Sequence, residues 1–355
     1  MSGFDSLGVA RDFGDVQAEA ASCRSAAALF DFSFMSRWCI EGSGASALIA
    51  RLTPRRMDDL PSGRLRYAMR INETGHVIGD LTVWRLGVEC FEVFSGTREQ
   101  VADVKALEGR SVLVRELSSD TAILAVQGPR SLHALCAAGL SRPLRELPYF
   151  GHASASIAGV PCRIGRLGYT GERGFEIVLP RGAREAVWSI LAEHARPAGF
   201  AAADILRIEA GFILFSNELR VPVSAAELGL HRFAGEPAET AAEVRDVRVR
   251  LLCFQATCAF DPILWQSLDC EASFPPPPGE ILVTSACRSV LTGDALGLGY
   301  ALAHPEKAQL RDAAGLFRDI REVSLPFYDP GKRIPRGAWS ADELHRHDST
   351  LHSFQ

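Results

Sequence analysis

The sequence predicts an α+β fold built on antiparallel sheets, from three observations. Its β-type runs follow hairpin-like turns rather than the regular strand-helix-strand rhythm of a parallel sheet. Amphipathic helical stretches are set between groups of strands, and the last third of the chain is β-rich. At 355 residues, against about 150 per domain, the chain has room for two or three domains and a sizeable core.

Taken in order, residues 38–41 read as a strand, and residues 45–52 and 97–107 carry helical spacing. Residues 64–72, 79–86 and 90–94 form an antiparallel meander, with Asn72-Glu73-Thr74-Gly75 as the turn between the first two strands. A strand at 122–126 is stopped by Gly128-Pro129, and helical spacing resumes over 130–138 with proline where a first turn tolerates it. Strands at 161–167 and 175–179 flank a glycine-rich loop, and helices are predicted at 183–194 and 204–215. Residues 234–243 and the proline run at 275–278 read as linkers or exposed loops. Strands at 247–255, 280–284, 296–302 and 320–327 then make a separate β-rich C-terminal domain, and the stretch after Gly337 is a tail.

Composition narrows the function classes. With 47% hydrophobic and 23% charged residues the chain is of globular type, and its net charge of −5 offers no attraction to a phosphate backbone or an anionic membrane. Nucleic acid and membrane are therefore not expected partners. Nine cysteines (Cys23, Cys39, Cys90, Cys136, Cys162, Cys253, Cys258, Cys270 and Cys287) are odd in number, dispersed and without a C-x-x-C pair. They read as reduced thiols rather than a zinc or disulfide framework, so no metal is expected. No signal-like N-terminus and no apolar run near the ~20 residues of a membrane helix is present, which makes the cytoplasm the default location.

Three stretches stand out as candidate chemistry. Gly168-Tyr169-Thr170-Gly171-Glu172-Arg173-Gly174-Phe175-Glu176 crowds three glycines, an aromatic ring and two carboxylates into nine positions, which permits close backbone approach by a flat ligand. The plainer alternative is a glycine-shaped hairpin with Tyr169 packed and both glutamates solvated. Asp80 sits at the mouth of the apolar run Leu81-Thr82-Val83-Trp84, where a buried carboxylate needs a donor or a cation and an exposed one needs neither. Asp204, Arg207 and, more loosely, Gly211 share a helical face, so Arg207 is either half of a surface ion pair or an anchor for a loop or a ligand carboxylate. The phosphate-loop, Rossmann, nucleophilic-serine, H-E-x-x-H and calcium-loop patterns are all absent.

Several phrases, in order along the chain, carry a resemblance. They are Phe30-Asp31-Phe32-Ser33-Phe34-Met35, the stretch 67–83, Leu124-Ala125-Val126-Gln127-Gly128-Pro129, the 168–176 loop and Leu206-Arg207-Ile208-Glu209-Ala210-Gly211. A weaker set follows in Val283-Thr284-Ser285-Ala286-Cys287-Arg288-Ser289, Leu296-Gly297-Leu298-Gly299-Tyr300 and Leu325-Pro326-Phe327-Tyr328. Together they resemble the aminomethyltransferase family of folate-dependent one-carbon transferases.

The resemblance implies a three-domain, ring-like α+β assembly with a β-rich C-terminal domain around a central tetrahydrofolate cavity. Residues 1–45 with 145–235 would form the first, folate-binding domain, 46–144 the second, 244–340 the C-terminal domain and 341–355 a tail. It further implies Asp80 as the catalytic residue and Tyr67, Tyr169, Glu176 and Arg207 as the folate-binding ones. The implied reaction moves an aminomethyl group from the lipoyl arm of a carrier H-protein to folate N5, giving methylenetetrahydrofolate and ammonia. Demethylation of a small N-, O- or S-methylated substrate is the alternative within the family. A non-catalytic folate-binding or iron–sulfur assembly factor is the alternative outside it. Three stretches depart from the family pattern: Val93-Phe94-Ser95-Gly96 replaces a Val-x-Asn-Ala-like element, Ala203 an arginine, and Phe233-Ala234-Gly235-Glu236 stands near a missing Phe-Ile-Gly-Lys phrase; the cysteine motif of the iron–sulfur assembly factors is absent near Ser216-Asn217-Glu218-Leu219, which counts against that alternative.

Overall fold

The computed structural model describes residues 8–96, 109–235, 247–256, 270–303, 308–311 and 317–339. The chain divides into two units, one of Met1–Ser33, Ser119–Ala203 and Gly331–Gln355, the other of Phe34–Ser118 and Asp204–Pro330. Strands and helices are numbered along the whole chain.

The first unit is a six-stranded sheet in the order β11 (Arg196–Pro197), β1 (Ala28–Asp31), β7 (Thr121–Gln127), β10 (Gly174–Pro180), β9 (Val160–Gly165) and β8 (His152–Ile157). Every pairing is antiparallel except β1 with β11. The two-residue period of a strand puts Leu29, Leu124, Val126, Ile164, Phe175, Ile177 and Leu179 on one face. Leu132 and Leu135 from α3 (Ser131–Ala137) and Val187 and Leu191 from α4 (Arg184–Ala192) close that core. Each such side chain contributes about 1.5–3 kcal/mol on burial. Helix α1 (Val16–Ser25) starts at Asp15, whose carboxylate accepts the Ala18 N–H at 3.0 Å. Its buried Glu19 is satisfied by backbone N–H groups of Phe13, Asp15 and Gly199.

The second unit holds a five-stranded antiparallel sheet in the order β3 (Leu65–Ile71), β4 (Val77–Gly87), β5 (Cys90–Ser95), β2 (Ser36–Glu41) and β6 (Leu113–Glu116). Helix α2 (Ala45–Leu52) turns Ala45, Leu48, Ile49 and Leu52 onto Trp38, Ile40, Leu81, Val83, Phe91 and Val93 of that sheet. A four-stranded antiparallel sheet follows, ordered β13 (Leu282–Arg288), β14 (Ala295–Leu302), β12 (Val249–Ala256) and β17 (Arg321–Val323). A two-stranded ribbon pairs β15 (Gln309–Arg311) with β16 (Phe317–Asp319).

The antiparallel α+β prediction therefore holds for the described residues, and the meander at 64–94 is seen as β3–β4–β5. Two elements differ. The helix expected at 204–215 is α5 (Phe200–Glu209), which starts earlier because Phe200-Ala201-Ala202-Ala203 contains nothing that stops a helix. It stops before Gly211, which sits at φ +66° with Pro326 Cα 2.9 Å from where a Cβ would be. The strand expected at 320–327 is only the three residues of β17. The helix expected at 97–107 and the tail at 341–355 lie outside the described residues, as does most of the 234–243 linker. Among the described residues, no helix is long and apolar enough to cross a membrane.

Candidate functional site

Glu176 is the most unusual residue of the first unit. It lies in the middle of β10, directly opposite Ala125 on β7 and Gly165 on β9, on the face turned away from the apolar core. It is 7% exposed, and no donor among the described residues reaches its carboxylate. Burial alone pushes its pKa up to about 7. The cross-strand row reads Phe30, Ala125, Glu176, Gly165 and His152, so the carboxylate is flanked by the two smallest side chains available. A flat group can lie beside Glu176 without displacing a neighbour. Tyr149 is within electrostatic reach of Glu176, Arg166 and Arg336, and burial raises its phenol to about 12.

The glycine-rich loop that precedes Glu176 owes its glycines to Gln127. That side chain is fully buried, and its amide donates to Leu167 O at 3.1 Å and Phe175 O at 3.3 Å while its carbonyl accepts from Thr170 Oγ1 at 3.1 Å. A Cβ on Gly168 would stand 1.8 Å from Gln127 Oε1, and one on Gly174 would stand 2.5 Å from Gln127 Cδ. The close approach inferred from the sequence is thus made by a glutamine of the same unit. Arg24 clamps the loop from outside through Thr170 O at 2.8 Å and Glu172 at 3.1 Å, which makes Glu172 a buried ion-pair partner rather than a solvated acid. Tyr169 is half-buried on this fixed loop.

In the second unit the structure brings Asp80 and Tyr67 together. Asp80 on β4 pairs with Met69 on β3, and Tyr67 stands opposite Thr82, two residues along the same face. Burial raises the Asp80 pKa to about 6, opposed by a hydrogen bond that the Tyr67 hydroxyl donates and by its own backbone N–H. Tyr67 is held in turn by Phe233, ring centroids 5.3 Å apart and edge-on. Arg55 lies over the Phe233 ring at 5.1 Å and donates to Tyr67 O. Phe233, which opens the departing 233–236 phrase, thus stands behind Tyr67.

Arg207 also belongs to the second unit, fully buried at the end of α5. Its Nε donates to Asp204 at 2.8 Å, its two terminal nitrogens to Phe212 O, Glu218 Oε2 and Ser285 Oγ. Glu218 accepts as well from Leu214 N, Thr284 Oγ1 and Ser285 Oγ. Adjacent Thr284 and Ser285 both reach it because β13 carries a bulge between Val283 and Ser285, which turns two consecutive side chains to one side. Of the two readings open for Arg207, an exposed surface pair is excluded by its burial, and it is seen anchoring the 212–218 loop. Phe94, another departure, is buried with its ring tilted on Trp84 at 4.8 Å and the Arg37 guanidinium 5.5 Å away.

Sequence reasoning missed Gln127, Tyr149, Phe233 and Glu218. Gln127 and Glu218 were visible only as a polar residue ending an apolar strand and an acid in a loop; neither pattern reports a partner far along the chain.

Comparison with known proteins agrees with this architecture. A family model described as the GCVT N-terminal domain matches residues 5–235. The aminomethyltransferase of Synechococcus elongatus is 33% identical over 238 residues, a stretch that is 65% of this chain and 64% of that protein's length. The aminomethyltransferase of Saccharopolyspora erythraea is 30% identical over 334 residues, 88% of this chain and 89% of its own. The crystal structure of glycine cleavage system aminomethyltransferase T from Bartonella henselae shares the fold, with a TM-score of 0.72 at 22% identity over 95% of this chain and 97% of that one. By the family model and by the Saccharopolyspora relative alike, the chain belongs to the aminomethyltransferase family.

Proposed function

We propose that the protein is a tetrahydrofolate-dependent one-carbon transferase that takes an aminomethyl group from the lipoyl arm of a carrier H-protein and releases methylenetetrahydrofolate and ammonia. The observation that carries this reading is Glu176, a buried carboxylate with small neighbours and no donor among the described residues. A pterin presents a ring N–H beside an exocyclic amine, and one carboxylate accepts both. Folate would therefore be held by Glu176, with Tyr169 and Tyr67 against the ring or its edge. Tetrahydrofolate supplies N5 as the nucleophile that receives the one-carbon unit.

Asp80 is the catalytic residue in this reading. Positive charge grows on nitrogen as the new bond forms, and a carboxylate about 4 Å away at an effective dielectric near 20 stabilises it by about 4 kcal/mol before solvation costs. Tyr67 acts by holding Asp80 oriented and ionised. Arg207, its donors turned to Asp204, Glu218 and Ser285, takes a positioning role rather than direct contact with folate. A three-domain ring around a central cavity remains part of this proposal.

Demethylation of a small methylated donor is the second reading, since Ser95 stands where the family pattern carries an amide. Anaerobic calorimetry with tetrahydrofolate, repeated on Glu176→Gln, tests the folate site. Binding that the variant loses supports the reading, and absence of binding to the unmodified protein rejects it. Turnover with aminomethylated H-protein, against a series of N-, O- and S-methyl donors, then separates the two donors.

A further inference from the structure

The face of the five-stranded sheet turned away from α2 carries, between the buried Cys39 and the part-exposed Glu41 and Cys90, a cluster that the proposed one-carbon transfer does not use. Cys39 and Glu41 stand two apart on β2 and share a face, while Trp38 and Ile40 between and beside them enter the core. Sheet register places Cys90 of β5 opposite Glu41 and Arg115 of β6 opposite Cys39. The sulfurs of Cys39 and Cys90 and a Glu41 carboxylate oxygen consequently lie within 4.8 Å of one another. No spacing motif announces this, because only strand pairing joins positions so far apart in sequence.

The geometry points to a binding site for one thiophilic divalent cation of the zinc class, ligated by Cys39 Sγ, Cys90 Sγ and the Glu41 carboxylate. Two soft sulfurs and one oxygen suit zinc or cadmium and not calcium or magnesium, which take all-oxygen shells. A tetrahedron with metal–sulfur bonds of about 2.3 Å has edges of about 3.7 Å, so the donors close by roughly 1 Å, a distance that side-chain rotation covers. The contacts of Cys39 are long: its Sγ stands 3.9 Å from Glu41 Oε2 and 3.7 Å from an Arg115 nitrogen. Arg115 also donates to Glu41 Oε1 at 3.2 Å, fixing the carboxylate. Charge balances as well. Binding releases the two thiol protons to solvent, two thiolates and a carboxylate around a divalent ion leave one negative charge, and Arg115 neutralises it. Glu41 and Cys90 are part-exposed, which leaves an entry path and a fourth position for water.

The test uses the full-length, fully reduced protein titrated with cadmium and followed by ultraviolet thiolate-to-metal charge-transfer absorption. The expected result is saturation at one equivalent, displacement by zinc but not by calcium, and loss of the band in both Cys39→Ser and Cys90→Ser. Glu41→Gln, at a part-exposed position that folding tolerates, should weaken affinity by about tenfold or more with an unchanged far-ultraviolet circular dichroism spectrum. A band that survives in the double cysteine variant, or its absence from the unmodified protein, overturns the site.

Discussion

Glu176 costs the folded protein stability that a ligand with paired donors returns. Its pKa rises from the ordinary 4.5 to about 7, so the folded state holds the proton more tightly than the unfolded one. Stability linked to this group is therefore fully present below about pH 4.5 and is lost as pH climbs through 7, by about 3 kcal/mol in all. Glu176→Gln should thus raise the unfolding free energy in denaturant at pH 8 by up to about 3 kcal/mol and leave it unchanged at pH 4, while lowering tetrahydrofolate affinity about 10- to 100-fold. In the proposed reaction Asp80 makes a different demand, since a charge that develops as the bond forms would reward it only in the transition state. Asp80→Asn should reduce single-turnover rate by about 10²–10³-fold and change the folate dissociation constant by less than about threefold. The unmodified enzyme should gain activity as pH rises through about 6, the pKa of Asp80. Tyr67→Phe removes the hydrogen bond that opposes that rise and should move the acid limb of the rate profile to higher pH.

The glycine-rich loop and the bulged strand show how the elements make such residues available. Gly168→Ala should destabilise the protein by more than about 2 kcal/mol, because its methyl group meets Gln127 and not open space. Adding Gln127→Ala should recover part of that loss, and a thermal-denaturation double-mutant cycle measures the coupling. On β13 the bulge aims Thr284 and Ser285 at Glu218, which is fully buried against Arg207. Glu218→Gln should cost about 1.5–3 kcal/mol in the same assay, since it removes one of the two carboxylates that balance the buried Arg207 and leaves Asp204 as the other. Elements of this kind were only partly legible in the sequence. Strand β4, by its alternation, and β7, as an uninterrupted apolar run, could be read directly, whereas the roles expected of Asp80 and Glu176 came from the family resemblance alone. The short strand β6, the ribbon β15–β16 and helix α1 could not, because each takes its stability from partners distant in sequence rather than from its own periodicity. The reason for the glycines was hidden for the same cause: nothing near Gly168 in sequence indicates that Gln127 lies against it.

At the scale of the molecule, neither unit is continuous in sequence. The first takes β1 from one side of the long segment that builds the five-stranded sheet and β7 to β11 from the other, so β1 pairs with β7 across roughly 90 residues. Carboxylates with raised pKa values occur in both units, the buried Glu176 in the first and the part-buried Asp80 in the second. Denaturant stability followed by tryptophan fluorescence should accordingly fall between about pH 5 and 7, a decline that saturating tetrahydrofolate at pH 7 should offset if donors on the ligand meet Glu176. The interrupted sheet has a further consequence on the ribosome. At about 5 to 20 residues per second, Ala28-Leu29-Phe30 of β1 is synthesised roughly 5 to 18 s before its neighbour β7. During that interval the nascent chain displays an unpaired apolar strand, and it is there, rather than in the finished protein, that a chaperone has something to hold.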